Sequence, residues 1–227
     1  MNFLINLTDF FLPRLCPSCK SKLNTEEKVV CRSCLNKIKI ASDDRITLEF
    51  NKKYAEKNFI SGFTALYIFE KDKELQNIIH NLKYNQRFLI GKFLGEMIGI
   101  TKKRTIESWE IGEIVPIPLH TLKKAARGYN QSLYIAKGIG RQLSIPVNSR
   151  SVIRKKNTLT QTKMNLSERE KNISGAFKLK YSKVVKGKNI LIADDVITTG
   201  ATTGECARVL LEGGAAKVYA VSAAIAD

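Results

Sequence analysis

Two adjacent carboxylates, Asp194 and Asp195, stand in NILIADDVITTGATTGECARVLLEGGA (189–215), between an apolar run and a Thr/Gly-rich turn. Neighbouring negative charges repel, so the pair points to a ligand that engages both. The run 189–193 reads as a strand, and ligands of an open α/β sheet bind beyond the carboxyl ends of its strands. The turn Thr198, Thr199, Gly200, Ala201, Thr202 then leads into a helix. Backbone N–H groups of such a turn, the helix N-terminus and threonine hydroxyls together suit a phosphate monoester. The turn carries neither the G-K-[ST] ending of a P-loop nor a G-x-G-x-x-G pattern. Carboxylates repel a bare polyphosphate but accept hydrogen bonds from sugar hydroxyls. A ribose bearing a 5′-phosphate satisfies both halves of the stretch.

A second constellation is Cys16-x2-Cys19-x11-Cys31-x2-Cys34. Two C-x-x-C knuckles can point four thiolates at one ion, the pattern of a tetrahedral zinc site. With every position filled by sulfur there is no open position for a substrate, so the zinc is expected to be structural. Disulfides fit a reducing compartment poorly. Cys206 shares an expected helix face with Val209 and Leu210 and reads as a small buried hydrophobe.

The elements that must position these residues follow from periodicity. FTALYIF (63–69) reads as a strand; Leu75, Ile78, Ile79 and Leu82 form one helical stripe, and Ile90, Phe93, Leu94, Met97 and Ile98 a second. From residue 113 the pattern alternates: the strand EIVPIPL, the helix QSLYIAKGIGRQL, the strand 189–193, a helix over 203–211 and a last strand, VYAVSAAIA. Gly213 and Gly214 stop the last helix. Such alternation with apolar strands implies a parallel sheet covered on both faces. A polar stretch, 41–58, reads as a spacer between the cysteine module and the rest. The opening MNFLINLTDFFLPRL has Phe3, Leu4, Leu7, Phe10 and Phe11 at helical spacing, with Asp9 and no basic leader. It reads as a short amphipathic helix on the body rather than a signal peptide.

At 227 residues, 44% hydrophobic and 26% charged, the chain has the composition of a globular protein. No apolar stretch approaches the ~18 residues of a membrane span, and a cytoplasmic location is expected. Charge is the unusual feature: 38 Lys plus Arg against 21 Asp plus Glu give +17. Over 150–188 twelve basic residues face two acidic ones, Glu168 and Glu170. That excess favours an anionic partner, either a phosphorylated metabolite or nucleic acid.

Several stretches also resemble a known family. ILIADDVITTGAT (190–202) is similar to the 5-phosphoribosyl-1-pyrophosphate (PRPP) signature of type I phosphoribosyltransferases. The cysteine knuckles, HNLKYNQRFLIGKFLG (80–95), IVPIPLHTLKKAARGYNQS (114–132) and TQTKMNLSEREKNISGAF (160–177) resemble the competence protein ComF family. The resemblance implies a type I phosphoribosyltransferase-like parallel sheet flanked by helices (59–227) behind an N-terminal helix and four-cysteine zinc module (1–45). By it, Asp194 and Asp195 hold the ribose 2′ and 3′ hydroxyls, and residues Thr198, Thr199, Gly200, Ala201 and Thr202 hold the 5′-phosphate. Mg2+ rides on pyrophosphate and ribose oxygens. The implied chemistry is pentosyl transfer: a nucleophile displaces pyrophosphate from C1 through an oxocarbenium-like state, with position and charge as the catalysts.

Lys123, Lys124 and Arg127 follow the strand end at Pro116 to Pro118 and are the candidates for a pyrophosphate clamp. Tyr129, Asn130 and Gln131 could orient a ligand, whereas a lone His120 at a strand end reads as structural. The stretch 150–171 reads as a basic hood, with Lys155, Lys156, Thr160 and Gln161 able to close over the ligand. The chain ends at Asp227, almost as soon as the last strand does, which turns the expectation away from ordinary purine salvage. Two readings of different class stay open. One is a phosphoribosyltransferase linked to competence and DNA uptake, with an unknown acceptor. The other is a non-catalytic module that uses the phosphoribosyl site for binding or regulation, with single-stranded DNA and a DNA-uptake protein as partners; only Phe177 and Tyr181 in 150–188 offer aromatic stacking.

Overall fold

The structure, a computed structural model, describes residues 13–55, 58–156 and 172–226. The helix expected over Phe3 to Phe11, and Thr160 and Gln161 of the expected hood, lie outside the described residues.

The apolar runs become β1 (Gly62–Ile68), β2 (Ile111–Pro116), β5 (Asn189–Ile197) and β6 (Lys217–Ile225). They form one parallel sheet in the order β1-β6-β5-β2. A separate antiparallel ribbon pairs β3 (Val152–Arg154) with β4 (Phe177–Leu179). Side chains of a strand alternate between faces, so Ile190 and Ile192 enter one apolar layer while Leu191 and Ala193 enter the other. The central strand runs on to Ile197 instead of ending at residue 193, because Asp194, Val196 and Ile197 keep parallel pairing with Ser222, Ala224 and Ile225. The Asp pair therefore lies within the strand's last turns rather than beyond it.

Before the sheet come α1 (Arg32–Lys37) and α2 (Asp43–Tyr54). The first crossover holds α3 (Glu74–Tyr84), α4 (Phe88–Thr101) and α5 (Lys103–Glu107), the second α6 (Thr121–Arg127) and α7 (Gln131–Leu143), and the last α8 (Ala201–Glu212). The stripes Leu75, Ile78, Ile79, Leu82 and Ile90, Leu94, Ile98 are buried. They pack, with α7 and the cysteine module, on the Leu191 face of the sheet. Helices α4 and α7 approach backbone to backbone: a Cβ built on Gly95 would overlap Ile135 O and stand 2.9 Å from Gly138 Cα.

The stretch expected as a polar spacer is instead α2. Ser42 Oγ accepts from Arg45 N at 3.3 Å and caps it. Ile46, Phe50 and Tyr54 recur every four residues and turn one face toward Phe63 of β1, in the apolar layer opposite Leu191. Charged neighbours hide that stripe in the sequence. One of them, Glu49, is itself buried, paired with Arg45 at 2.9 Å and Lys53 at 2.5 Å. Among the described residues no helix is long and apolar enough to cross a membrane.

Candidate functional site

Strand alternation carries Asp195 to the face of Leu191 and Ala193, beneath α3. There Lys83 Nζ meets Asp195 Oδ2 at 2.8 Å. At that distance the ammonium both pairs with the carboxylate and donates a charge-assisted hydrogen bond to it. Asp194 Oδ1 accepts from Ser132 Oγ at 2.9 Å and from the Asp195 N–H at 2.8 Å. The Asp195 Oδ1 accepts from Val196 N at 2.9 Å. Asp194 is 9% and Asp195 4% exposed, so two carboxylates are buried against one ammonium. Burial, reinforced by the neighbouring Asp195 charge, pushes the Asp194 carboxyl up to about 7. Burial also works to raise Asp195, but Lys83 outweighs it and holds that carboxyl below its ordinary value. Burial opposes the charge on Lys83, and the two carboxylates overcome it, so the ammonium is held above its ordinary value.

Beyond the pair the chain turns through Thr198, Thr199 and Gly200 into α8, whose first turn contains Ala201 and Thr202. These five residues, with Asp194, Val196, Ile197 and Thr203, line a pocket of about 60 Å³. Gly200 is the N-cap at φ +77° and offers no side-chain cap, so the amides of the first turn face the pocket with little competition. Thr199 Oγ1 accepts from Ala201 N at a long 3.4 Å. Under the loop, Tyr54 is buried with its hydroxyl near Thr203.

On the other side of Lys83 a cavity of about 380 Å³ is lined by Lys83, Lys123, Arg127 and Arg154, together with Tyr84, Gln131 and two apolar residues. Arg127 Nη1 donates to Gln131 Oε1 at 2.5 Å and its guanidinium stacks over the Tyr84 ring. Burial, then the like charges of Arg154 and Arg127, lower the Lys123 ammonium from its ordinary value. A cavity crowded with cations in this way favours a multiply charged anion.

The structure thus brings together Asp194, Asp195, the loop 198–202, Lys123 and Arg127. It does not bring in Lys124, which is exposed and outside the cavity lining: successive residues of a helix point about 100° apart, and Lys123 takes the inward direction. Lys155 and Lys156 are exposed beyond β3; Lys156 Nζ donates to Ser174 O at 2.7 Å, behind the loop rather than over the Asp pair. Tyr129 and Asn130 are structural: the Tyr129 hydroxyl donates to Leu82 O, and Asn130 caps α7 while donating to Ile117 O at 2.9 Å. His120 caps α6. Lys83, Ser132, Arg154 and Tyr54 carry the site unannounced by the sequence. Lys83 falls inside HNLKYNQRF, and its place between the apolar stripe positions of α3 was the available signal.

At the other end of the chain the sulfurs of Cys16, Cys19, Cys31 and Cys34 all lie within 4.8 Å of one another, none in a disulfide. Cys206 is a fully buried free thiol, raised by burial.

Residues 130–225 match the Phosphoribosyl transferase domain family. The DNA utilization protein YhgH of Escherichia coli (strain K12) is 34% identical over 147 residues, 63% of this chain and 64% of that protein. Competence protein F of Haemophilus influenzae is 27% identical over 213 residues, 89% of this chain and 93% of that one. The chain thus spans just under two thirds of the length of the YhgH relative it matches. A solved structure of glutamine PRPP amidotransferase from B. subtilis, complexed with ADP and GMP, overlays at TM-score 0.40 and 19% identity, over 59% of this chain and 26% of that one. With its parallel sheet flanked by helices, its match to the Phosphoribosyl transferase domain family over residues 130–225 and its four-cysteine module, the chain is similar to the competence protein ComF family and carries a phosphoribosyltransferase-like domain.

Proposed function

We propose that the protein binds PRPP with Mg2+ and transfers its phosphoribosyl group to an acceptor with release of pyrophosphate, in a cytoplasmic role tied to competence and DNA use. One observation carries the reading: a buried carboxylate pair sits between a threonine-lined pocket at a helix N-terminus and a cavity with four basic side chains. The order of these three parts suits the ligand, with hydroxyls at the carboxylates, 5′-phosphate at the loop and pyrophosphate among the cations. In the reaction the C1–O bond to pyrophosphate breaks and its electron pair leaves with the pyrophosphate. The acceptor's lone pair forms the new bond to C1, and the acceptor gives up a proton. Asp194 and Asp195 favour the cationic ribosyl group, and Lys123, Arg127, Lys83 and Arg154 favour the leaving group. Mg2+, bound with the substrate, would neutralise part of its charge.

Zinc fits the cysteine cluster, because four free sulfurs within reach of one ion match its preferred donor set. Cys16, Cys19, Cys31 and Cys34 would hold it, and it would supply rigidity rather than chemistry. The proposed domains are 1–45 and 59–227, and α2 starts at the end of the first and fills most of the interval between them.

Calorimetry with Mg-PRPP tests the reading. Binding to the wild type and its loss in the doubly substituted Asp194→Asn, Asp195→Asn chain, which should stay folded, is the expected result. A melting temperature that changes while affinity does not would overturn it. The names of the relatives, DNA utilization and competence proteins, favour DNA as a second partner, and single-stranded DNA is the form we propose. Removing the charges of Lys155 and Lys156 would then flatten the dependence of log affinity on log salt by roughly 1–2 units; an unchanged slope removes this segment from any DNA interface.

A further inference from the structure

Lys83 belongs to both halves of the site at once. Its ammonium neutralises Asp195 at 2.8 Å, and the same side chain lines the basic cavity beside Lys123, Arg127 and Arg154. A carboxylate oxygen engaged by an ammonium at that distance is a poor acceptor for a ribose hydroxyl. Removing the ammonium with nothing in its place strands a buried charge at high cost. Ribose binding and the departure of Lys83 must therefore be compensated together: the hydroxyls replace the ammonium at Asp195, and a new anion takes the ammonium.

We propose that Lys83 couples the two subsites: an anion entering the basic cavity draws its ammonium off Asp195 and so frees that carboxylate for the ribose hydroxyls. The proposal rests on the phosphoribosyl reading and adds its regulation. A lysine suits the exchange, being a point charge on a flexible four-carbon stem rather than a planar fork locked by two bonds. Asp194 is held differently: its hydrogen bonds come from the Ser132 hydroxyl and a backbone amide, while Lys83 and Arg154 act on it only through their charge. The consequence is that PRPP, which carries pyrophosphate and ribose on one molecule, opens its own ribose site. Ribose 5-phosphate alone meets a site still closed by Lys83, a discrimination built on one side chain.

The two subsites can be loaded separately. Ribose 5-phosphate is titrated calorimetrically into the full chain with and without saturating pyrophosphate and Mg2+. In the wild type the second condition is expected to tighten ribose 5-phosphate by about tenfold, within the usual range of coupling between sites. In Lys83→Met the ratio should fall to about one, and Lys83→Arg, whose planar fork can hold the carboxylate by two bonds, should restore little of it. If Lys83→Met does not fold, Lys83→Gln reads the same coupling, because it keeps a polar head at Asp195 but no charge for an anion to draw away. A Lys83→Met ratio equal to that of the wild type overturns the coupling, as does a wild type that binds ribose 5-phosphate indifferently to pyrophosphate. A wild type that binds neither compound overturns the phosphoribosyl reading and the coupling with it.

Discussion

The ring of Tyr54 lies where a side chain on Gly200 would begin: a Cβ there would stand 2.7 Å from Tyr54 Cε1 and 3.1 Å from its hydroxyl. The two residues are far apart in the chain, and their contact joins α2 to the threonine loop. Gly200 is also left-handed, at φ +77°, a conformation side chains rarely adopt.

Gly200→Ala therefore suffers both strain and overlap. It should cost about 1–3 kcal/mol by urea denaturation and weaken ribose 5-phosphate, since the amides of the loop move with Gly200. Tyr54→Leu in the same chain should recover part of the stability by removing the overlap. An Ala variant with unchanged midpoint and affinity would show that the loop yields without cost.

The Asp194 carboxyl, at about 7 in the fold, stands above the 3.8 of an ordinary aspartate. A raised folded pKa means that its contribution to stability is fully present below about 3.8 and lost as pH rises through about 7. Asp194→Asn removes the buried charge, so its melting temperature relative to wild type should climb between pH 4 and pH 7 and level off above. Asp195 behaves oppositely: its stabilising pair with Lys83 is lost only as pH falls below the ordinary aspartate range. A pH-independent difference between Asp194→Asn and wild type would contradict the burial of that charge.

At the crossing of α4 and α7 there is no room for a methyl group on Gly95, because the obstructing atoms are backbone, Ile135 O and Gly138 Cα. Gly95→Ala gains helix propensity but should still lose about 1–3 kcal/mol through overpacking. Equilibrium unfolding gives the sign. A stabilised variant would mean that the two helices separate freely.

The cysteine module is not a detached appendage. Cys16, Cys31 and Cys34 share an apolar layer with Leu75, Leu82 and Ile90, Asn81 Nδ2 donates to Pro17 O at 2.9 Å, and Arg87 Nη2 donates to Leu15 O at 2.6 Å. We expect one zinc per chain, and Cys31→Ser or a chelator should raise hydrogen exchange in 13–40 and also at α3 and the start of α4. Loosening confined to residues before 41 would show an independent module. Freshly purified, chelator-free protein lacking zinc would remove the metal altogether.

What the sequence determined by itself is whatever is contiguous or strictly periodic. Asp194, Asp195 and the loop to Thr202 sit within nine residues, so strand, turn and helix N-terminus follow from local pattern alone. The cysteine spacing and the stripes of α3 and α4 were legible for the same reason. Tertiary structure decided the partners. Lys83, Ser132, Arg154 and Tyr54 come from four separated segments outside the parallel sheet, and they reach the Asp pair and its loop only because those segments pack around the carboxyl end of β5. Burial decides which charges matter: Lys83 and Lys123 face enclosed carboxylates or cations, while Lys124 and Lys155, alike in sequence, face water. The helix α2 was hidden because its apolar positions, Ile46, Phe50 and Tyr54, are surrounded by charges that pair only once the chain has folded. A charged side chain looks the same in sequence whether it ends in solvent or in a buried pair, and only the packing around it makes the difference.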